Sequence, residues 1–229
     1  GGDQGLGILR ELDPQVIVNF IRKEHPQTMA VVLAYLDAPK AAEVLSLLPK
    51  ELYGDITQRI ANLDRLAPGV VDDIGLVLDE EFRVRGKAKR IGGTMALVEI
   101  LNSAGATLEQ DILKGLDQVN HELAEEVKAK LFTFEDIVRI PDRGIQLVLR
   151  EVEREDLLKS LKASTPEVRQ KFLKNMSERA RNVLTEDLEA MGPIRLTDAE
   201  KSQQNIIKTI RRLEESGEIV VPGKGDVVV

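Results

Sequence analysis

The feature that most constrains the fold is a repeated nine-residue segment. "TMAVVLAYL", which begins at Thr28, returns as "TMALVEILN" at Thr94, an offset of 94 − 28 = 66 residues. Each copy is followed by a second and a third helical pattern, and a fainter copy begins at Ile145. Helices that bury their apolar faces only by stacking are typical of armadillo or HEAT-like repeats. Three unrelated leucine-rich helices would give a similar pattern.

The composition and the helix signals favour the same fold. Aromatic residues make up only 3% of the chain, so Leu, Ile, Val and Ala must fill the core, as in packed helices. Pro14, Pro26 and Pro166 stand where helices begin, and residues 197–200 have the form of a capping box. We therefore predict an all-α fold, with short extended segments only near the C-terminus, at 219–221 and 227–229.

The chain divides at two places. An amphipathic segment, residues 70–83, leads to Gly92 and Gly93, and adjacent glycines restrict the backbone least. They indicate a hinge, although a helix end with a short turn would explain them too. We predict two armadillo-like domains joined by a long helix and a Gly-Gly hinge, with a middle domain at 1–68, linker helix and hinge at 69–93, a C-terminal armadillo-like subdomain at 94–134 and a C-terminal helical subdomain at 135–229.

Signatures of catalysis are missing from the sequence. There is no cysteine, no P-loop, no HExxH and no GxSxG, and the two histidines, His25 and His121, have no ligand-spaced neighbours. We therefore expect a protein that is not an enzyme, with no catalytic residue, metal, cofactor or small-molecule ligand. The opening "GGDQGLG", without Met or an apolar segment, indicates an excised fragment with no targeting signal.

Charge argues against general nucleic-acid binding. The net charge is −7, which repels a phosphate backbone. Residues 83–90 nevertheless carry five basic side chains in eight positions, so a local basic patch remains an alternative. We expect no nucleic-acid partner.

A charged helical segment begins at Asn175 with "NMSERARNVLTEDLEAMGPIR". Arg179 lies seven and eight residues before Glu186 and Asp187, so these charges share a helix face but are too far apart to pair. Lys162 precedes this helix and Arg195 follows it. Separated charges of both signs can bind a partner that carries the reverse pattern. A merely solvated face would have the same sequence.

Several motifs together resemble the family of the bacterial flagellar motor switch protein FliG. They are "EHPQT" at 24–28, Gly92-Gly93, "LFTF" at 131–134, and the run from "DRGIQ" through "KFLKNMSERA" and "EDLEAMGPIRL" to "IIKTIRRLEESGEIV". The resemblance covers nearly the whole chain and corresponds to the family's middle and C-terminal domains. It implies a rotor component of the flagellar basal body, peripheral on the cytoplasmic face of the inner membrane.

The resemblance also implies partners. The switch protein FliM, with FliN as a further member of that complex, docks on the middle domain, neighbouring FliG copies form a ring, and an N-terminal domain absent here attaches to the MS ring. The FliM contact falls on Glu24, His25, Pro26, Gln27 and Thr28, where Thr28 replaces the family's arginine.

The stator protein MotA is the third implied partner. Its cytoplasmic loop contacts the family's torque-bearing charges, which fall on Lys162, Arg179, Glu186, Asp187 and Arg195, with Glu186 where aspartate is more common. The family's Met-Phe-x-Phe joint becomes a second hinge at Leu131, Phe132, Thr133 and Phe134, which the end of a core helix would explain as well. The alternative function is a helical-repeat adaptor with no motor role, whose charges only keep it soluble.

Overall fold

In a computed structural model of the chain, residues 8–65 and 91–222 are described, and they form α-helices and short 3-10 turns without a β-strand. The all-α prediction is confirmed. The linker segment 70–83, the basic stretch 83–90 and residues 227–229 lie outside the described residues. None of the described helices combines the length and apolar character needed to cross a membrane. The chain forms two compact units, Gly1–Leu131 (unit 1) and Phe132–Val229 (unit 2).

Unit 1 is built from short helices that follow the predicted repeats. They are α1 Pro14–Ile21, α2 Pro26–Tyr35, α3 Ala38–Ser46, α4 Tyr53–Asn62, α5 Thr94–Asn102, α6 Ala106–Val119 and α7 His121–Lys130, with 3-10 turns at Lys50–Leu52 and Leu63–Arg65. The repeated segments form α2 and α5. Side chains from all these helices share one apolar core, so the first two copies fold as one body.

A close backbone contact joins the two copies within unit 1. A Cβ atom built on Gly54 of α4 would lie 2.4 Å from the carbonyl oxygen of Gly115 on α6. No side chain other than hydrogen fits there, so α4 and α6 pack backbone against backbone. The glycine at position 54 is therefore required by packing.

Unit 2 begins with a 3-10 segment, Phe134–Arg139, and continues, up to residue 222, with five α-helices. They are α8 Asp142–Glu151, α9 Arg154–Lys162, α10 Pro166–Leu173, α11 Glu178–Ala190 and α12 Leu196–Glu215. Its core includes the stacked rings of Phe134 and Phe172, whose centroids are 6.3 Å apart. The apolar stripe of α12 (Ile206, Ile207, Ile210 and Leu213) is buried in the same core.

The helix-start signals are mostly correct. Proline occupies the first position of α1, α2 and α10, as predicted. The capping box at 197–200 is wrong: α12 already begins at Leu196, and the N–H groups of Asp198 and Ala199 both donate to the carbonyl oxygen of Arg195. Thr197 therefore lies inside the first helical turn and cannot cap it.

Candidate functional site

His25 is the N-cap of α2. Its Nδ1 atom accepts a hydrogen bond from the N–H of Gln27 at 3.0 Å, while Pro26 occupies the first helical position. Because Nδ1 is the acceptor, the proton of the neutral ring belongs on Nε2. The ring is exposed. His25 thus caps the helix and also presents an N–H donor to solvent.

Gln27 is fixed by a side chain that the motif does not contain. Nη1 of Arg59, on α4, donates to Oε1 of Gln27 at 3.0 Å, and Nε of Arg59 donates to Oδ1 of Asp55 at 2.7 Å. Thr28, by contrast, is buried, with 8% exposure. In this chain the guanidinium beside Gln27 therefore comes from Arg59. A polar pocket of about 300 Å³ opens here, lined by Gln27, Asp55, Gln58, Arg59 and Asn62.

The predicted stator-contacting charges all lie in unit 2, and four of them are exposed, with Asp187 half-buried. No described residue forms a hydrogen bond or ion pair with the side chain of Arg179, Glu186 or Arg195. Arg179 and Glu186 are seven residues apart on α11, so they lie on the same side, about 10 Å apart along the helix axis. We call the surface formed by these three residues, Lys162 and Asp187 the ridge.

The other two ridge charges have partners within unit 2. Nζ of Lys162 donates to the carbonyl oxygen of Met191 at 3.0 Å, just after α11 ends. Asp187 forms an ion pair with Arg154 at the start of α9. Arg154 was not predicted from the sequence, because 33 residues (187 − 154) separate the pair and no local pattern connects them.

A neighbouring arginine shows the contrast with Arg179. Nε and Nη2 of Arg181 donate to the carbonyl oxygens of Leu173 and Met176, at 3.1 and 3.2 Å. These bonds satisfy carbonyl groups at and after the end of α10. Arg181 therefore has a structural role, whereas Arg179 faces solvent.

The loop before α11 is fixed by Asp142, the first residue of α8. Oδ1 of Asp142 accepts from Nδ2 of Asn175 at 3.2 Å and pairs with Nζ of Lys171 at 3.0 Å. The hydrogen bonds from Asn175 and Lys171 lower the pKa of Asp142 to about 2. This contact connects the N-terminal end of α8 to the segment that leads into α11, the helix that carries three of the ridge residues.

The predicted Gly-Gly hinge is packed against α4. Gly92 and Gly93 have φ values of +77° and +92°, which side-chain-bearing residues rarely adopt. The N–H of Gly93 donates to the carbonyl oxygen of Ile60 at 2.9 Å, and a Cβ on Gly92 would lie 2.6 Å from Cβ of Leu63. Both glycines are thus needed for this backbone path. Their role as a hinge stays a prediction.

The second predicted joint connects the two units. Leu131 is buried in the core of unit 1, and Phe134 is buried in the core of unit 2. Between them, the N–H of Thr133 donates to Oδ2 of Asp136 at 2.7 Å, which completes a capping box. Phe132 packs against the core of unit 2. The chain therefore passes from the core of unit 1 to the core of unit 2 within a few residues.

His121 has two acidic neighbours at a spacing suited to metal ligands. Asp117 and Glu125 stand four residues before and after it, and the ligand atoms of the three side chains lie within 4.8 Å of one another. The expectation of no ligand-spaced neighbour was therefore wrong. Nδ1 of His121 lies 2.6 Å from Oδ1 of Asp117, and the imidazole is largely exposed. This geometry is that of a surface hydrogen bond or ion pair at the junction of α6 and α7.

Comparison with known proteins identifies the family. The family model of the FliG middle domain matches residues 14–89 of the sequence, and the family model of the FliG C-terminal domain matches residues 114–221. The flagellar motor switch protein FliG of Thermotoga maritima is 48% identical over 219 residues, covering 95% of this chain and 65% of that protein. FliG of Pseudomonas aeruginosa is 37% identical over 227 residues, covering 98% of this chain and 67% of that protein.

A crystal structure of a FliG fragment from H. pylori is 36% identical, covers 93% of this chain and 98% of that chain, and has a TM-score of 0.47. The chain spans about 65% of the length of the T. maritima relative. The two domain models and the identities over nearly the whole chain show that the chain belongs to the FliG family of flagellar motor switch proteins.

Proposed function

We propose that this chain is a non-enzymatic rotor and switch component of the flagellar motor, located in the basal body at the cytoplasmic face of the inner membrane. The observation that carries the proposal is the match to both FliG domain models, together with relatives that are themselves flagellar motor switch proteins. A helical-repeat adaptor without a motor role is not favoured by these relatives.

The ridge is the proposed contact for the stator protein MotA. Arg179, Glu186 and Arg195 support this assignment because they are exposed and have no partner among the described residues. Their charges are therefore available to a stator loop with the reverse pattern. Asp187 takes part only when the stator replaces or shares its ion pair with Arg154. The exposed charges thus make the first contact in this proposal.

The surface around His25 is the proposed contact for FliM. The exposed imidazole, the rigid Pro26 and the Gln27 side chain held by Arg59 form a polar surface whose geometry is set before a partner arrives. A preorganised surface loses less conformational entropy on binding. Arg59 and its pocket are therefore part of the proposed FliM contact. FliN and neighbouring copies of the chain complete the proposed switch ring.

Calorimetric binding to purified FliM from the same source tests this function. His25→Ala and Gln27→Ala are expected to weaken binding at least tenfold, because each removes a polar group from the contact. His121→Ala is the matched control, since this second histidine lies outside the motif. FliM that binds all three variants like the parent chain, or that does not bind the parent chain, would contradict the proposal.

A further variant separates docking from helix capping. Asparagine is also a good N-cap, so His25→Asn keeps the start of α2 while removing the imidazole. If the ring itself contacts FliM, binding falls in both His25→Asn and His25→Ala. If only the cap matters, His25→Asn binds FliM like the parent chain, and the imidazole is not part of the contact. Helicity from circular dichroism shows that each variant is folded.

A further inference from the structure

A groove lies within unit 2, between α8, α9 and α11. It has a volume of about 770 Å³, within the range of ligand pockets. Its apolar wall is formed by Leu149, Val152, Met176, Val183 and Leu184. Val183 is 38% exposed, which is high for a valine on a helix that packs against its neighbours. The groove therefore offers apolar surface that the described residues of unit 2 do not cover.

The charges of this groove all have one sign. Arg150, Arg154 and Arg179 line it, and no acidic side chain of the described residues does so. This concentration of positive charge occurs in a chain whose net charge is −7. The first turn of α11, after its N-cap Ser177, adds the positive end of a helix dipole. The groove consequently attracts carboxylates.

We propose that the groove binds an acidic amphipathic α-helix of a partner protein. Apolar side chains of such a helix would cover Val183 and Met176, and its carboxylates would reach the three arginines. A small anion would satisfy the arginines but leave the apolar wall exposed, and an uncharged helix would leave the arginines unpaired. An amphipathic helix with acidic flanks satisfies both, as in other helix-in-groove complexes.

Arg154 connects this groove to the ridge. It lines the groove and also forms the ion pair with Asp187. A carboxylate bound in the groove competes with Asp187 for the same guanidinium. Binding in the groove therefore frees the Asp187 carboxylate, and by thermodynamic reciprocity a partner that engages Asp187 makes Arg154 more available to the groove.

Fluorescence anisotropy with a designed peptide tests the proposal on the full chain. The probe is a fluorescein-labelled helical peptide of roughly 18 residues, with Leu at helical spacing and Glu on both flanks. A second peptide carries Lys in place of Glu. The acidic peptide is expected to bind and the basic peptide is not. Combined Arg150→Glu and Arg179→Glu should weaken the acidic peptide roughly tenfold or more.

Three single variants sharpen the test. Val183→Asp places a charge on the apolar wall and should abolish binding. Asp187→Asn removes the competitor for Arg154 and should tighten binding severalfold. Lys208→Glu, an exposed charge reversal on α12 outside the groove, should leave binding unchanged. Helicity and thermal unfolding verify that each variant is folded.

Other results would overturn the proposal. These are equal binding of the two peptides, no binding of either, retention of binding in Val183→Asp, or a loss in Lys208→Glu as large as in the double arginine variant. The groove is defined by contacts within unit 2 alone, so its failure leaves the proposed FliM contact of unit 1 untouched. Failure of the FliM experiment equally leaves the groove proposal standing.

Discussion

Substituting Gly54 by alanine tests the packing of unit 1. Inside a helix, replacing glycine by alanine normally stabilises a protein by up to about 1 kcal/mol. Here the new Cβ would lie 2.4 Å from the carbonyl oxygen of Gly115, whereas ordinary contacts begin at 3.4 Å. The two helices would have to separate by 3.4 − 2.4 = 1.0 Å. Gly54→Ala is therefore expected to destabilise unit 1, against the usual trend.

The size of the effect follows from this separation. A gap of about 1 Å removes roughly half of the dispersion attraction between facing atoms, and several side chains pack between α4 and α6. After the gain in helix propensity is subtracted, we expect a net loss of about 2 kcal/mol in the free energy of unfolding. For a unit of this size, the midpoint of thermal unfolding falls by roughly 8 °C.

Gly115→Ala provides the matched comparison. Its Cβ would lie 3.2 Å from the Gly54 nitrogen and 3.3 Å from Cβ of Tyr53, so a shift of only a few tenths of an ångström relieves the contact. Thermal unfolding followed by circular dichroism should therefore rank Gly54→Ala well below Gly115→Ala, which stays within about 1 kcal/mol of the parent. A Gly54→Ala chain that is as stable as the parent would refute the backbone contact between α4 and α6.

Two further predictions concern unit 2. Because the native pKa of Asp142 is about 2, below its usual value of 3.8, its contribution to stability is complete above pH 3.8, declines below that, and is lost as the pH falls through 2. Asp142→Asn should unfold at a lower temperature than the parent at pH 6 and by a clearly smaller difference at pH 2, and an equal difference at both values would exclude this carboxylate as the cause. Glu186→Lys in the full-length protein should reduce swimming in soft agar, whereas Glu214→Lys, an exposed reversal on α12, should not; equal swimming of both variants would remove Glu186 from the ridge contact.

The helices and repeats were predictable because their signals are local. Proline at a first helical position and apolar residues at helical spacing depend on one segment at a time, so α1, α2 and α10 begin where the sequence indicates. The same holds for α2 and α5, whose similar apolar patterns both form helices. The error at α12 arose because two start positions lie close together, and a local motif does not say which one the chain uses.

The side chains that shape the candidate sites were not predictable in the same way. Arg59 reaches Gln27 across 32 residues, and Arg154 reaches Asp187 across 33 (187 − 154). Whether such pairs meet depends on how helices pack, which periodicity within one helix does not encode. The residues Glu186 and Asp187 looked equivalent in sequence, but one helical step rotates a side chain by about 100°, so only Asp187 meets Arg154.

The burial of Thr28 has a consequence for exchanging parts between species. A single Thr28→Arg substitution, made to restore the arginine of the family motif, would place a guanidinium where the side chain is buried and where Arg59 already occupies the surface beside Gln27. Burying an unpaired charge costs several kcal/mol. A chimaera that transplants the proposed docking surface from a relative would therefore need α2 and α4 together, because Arg59 on α4 holds the Gln27 side chain of the motif on α2.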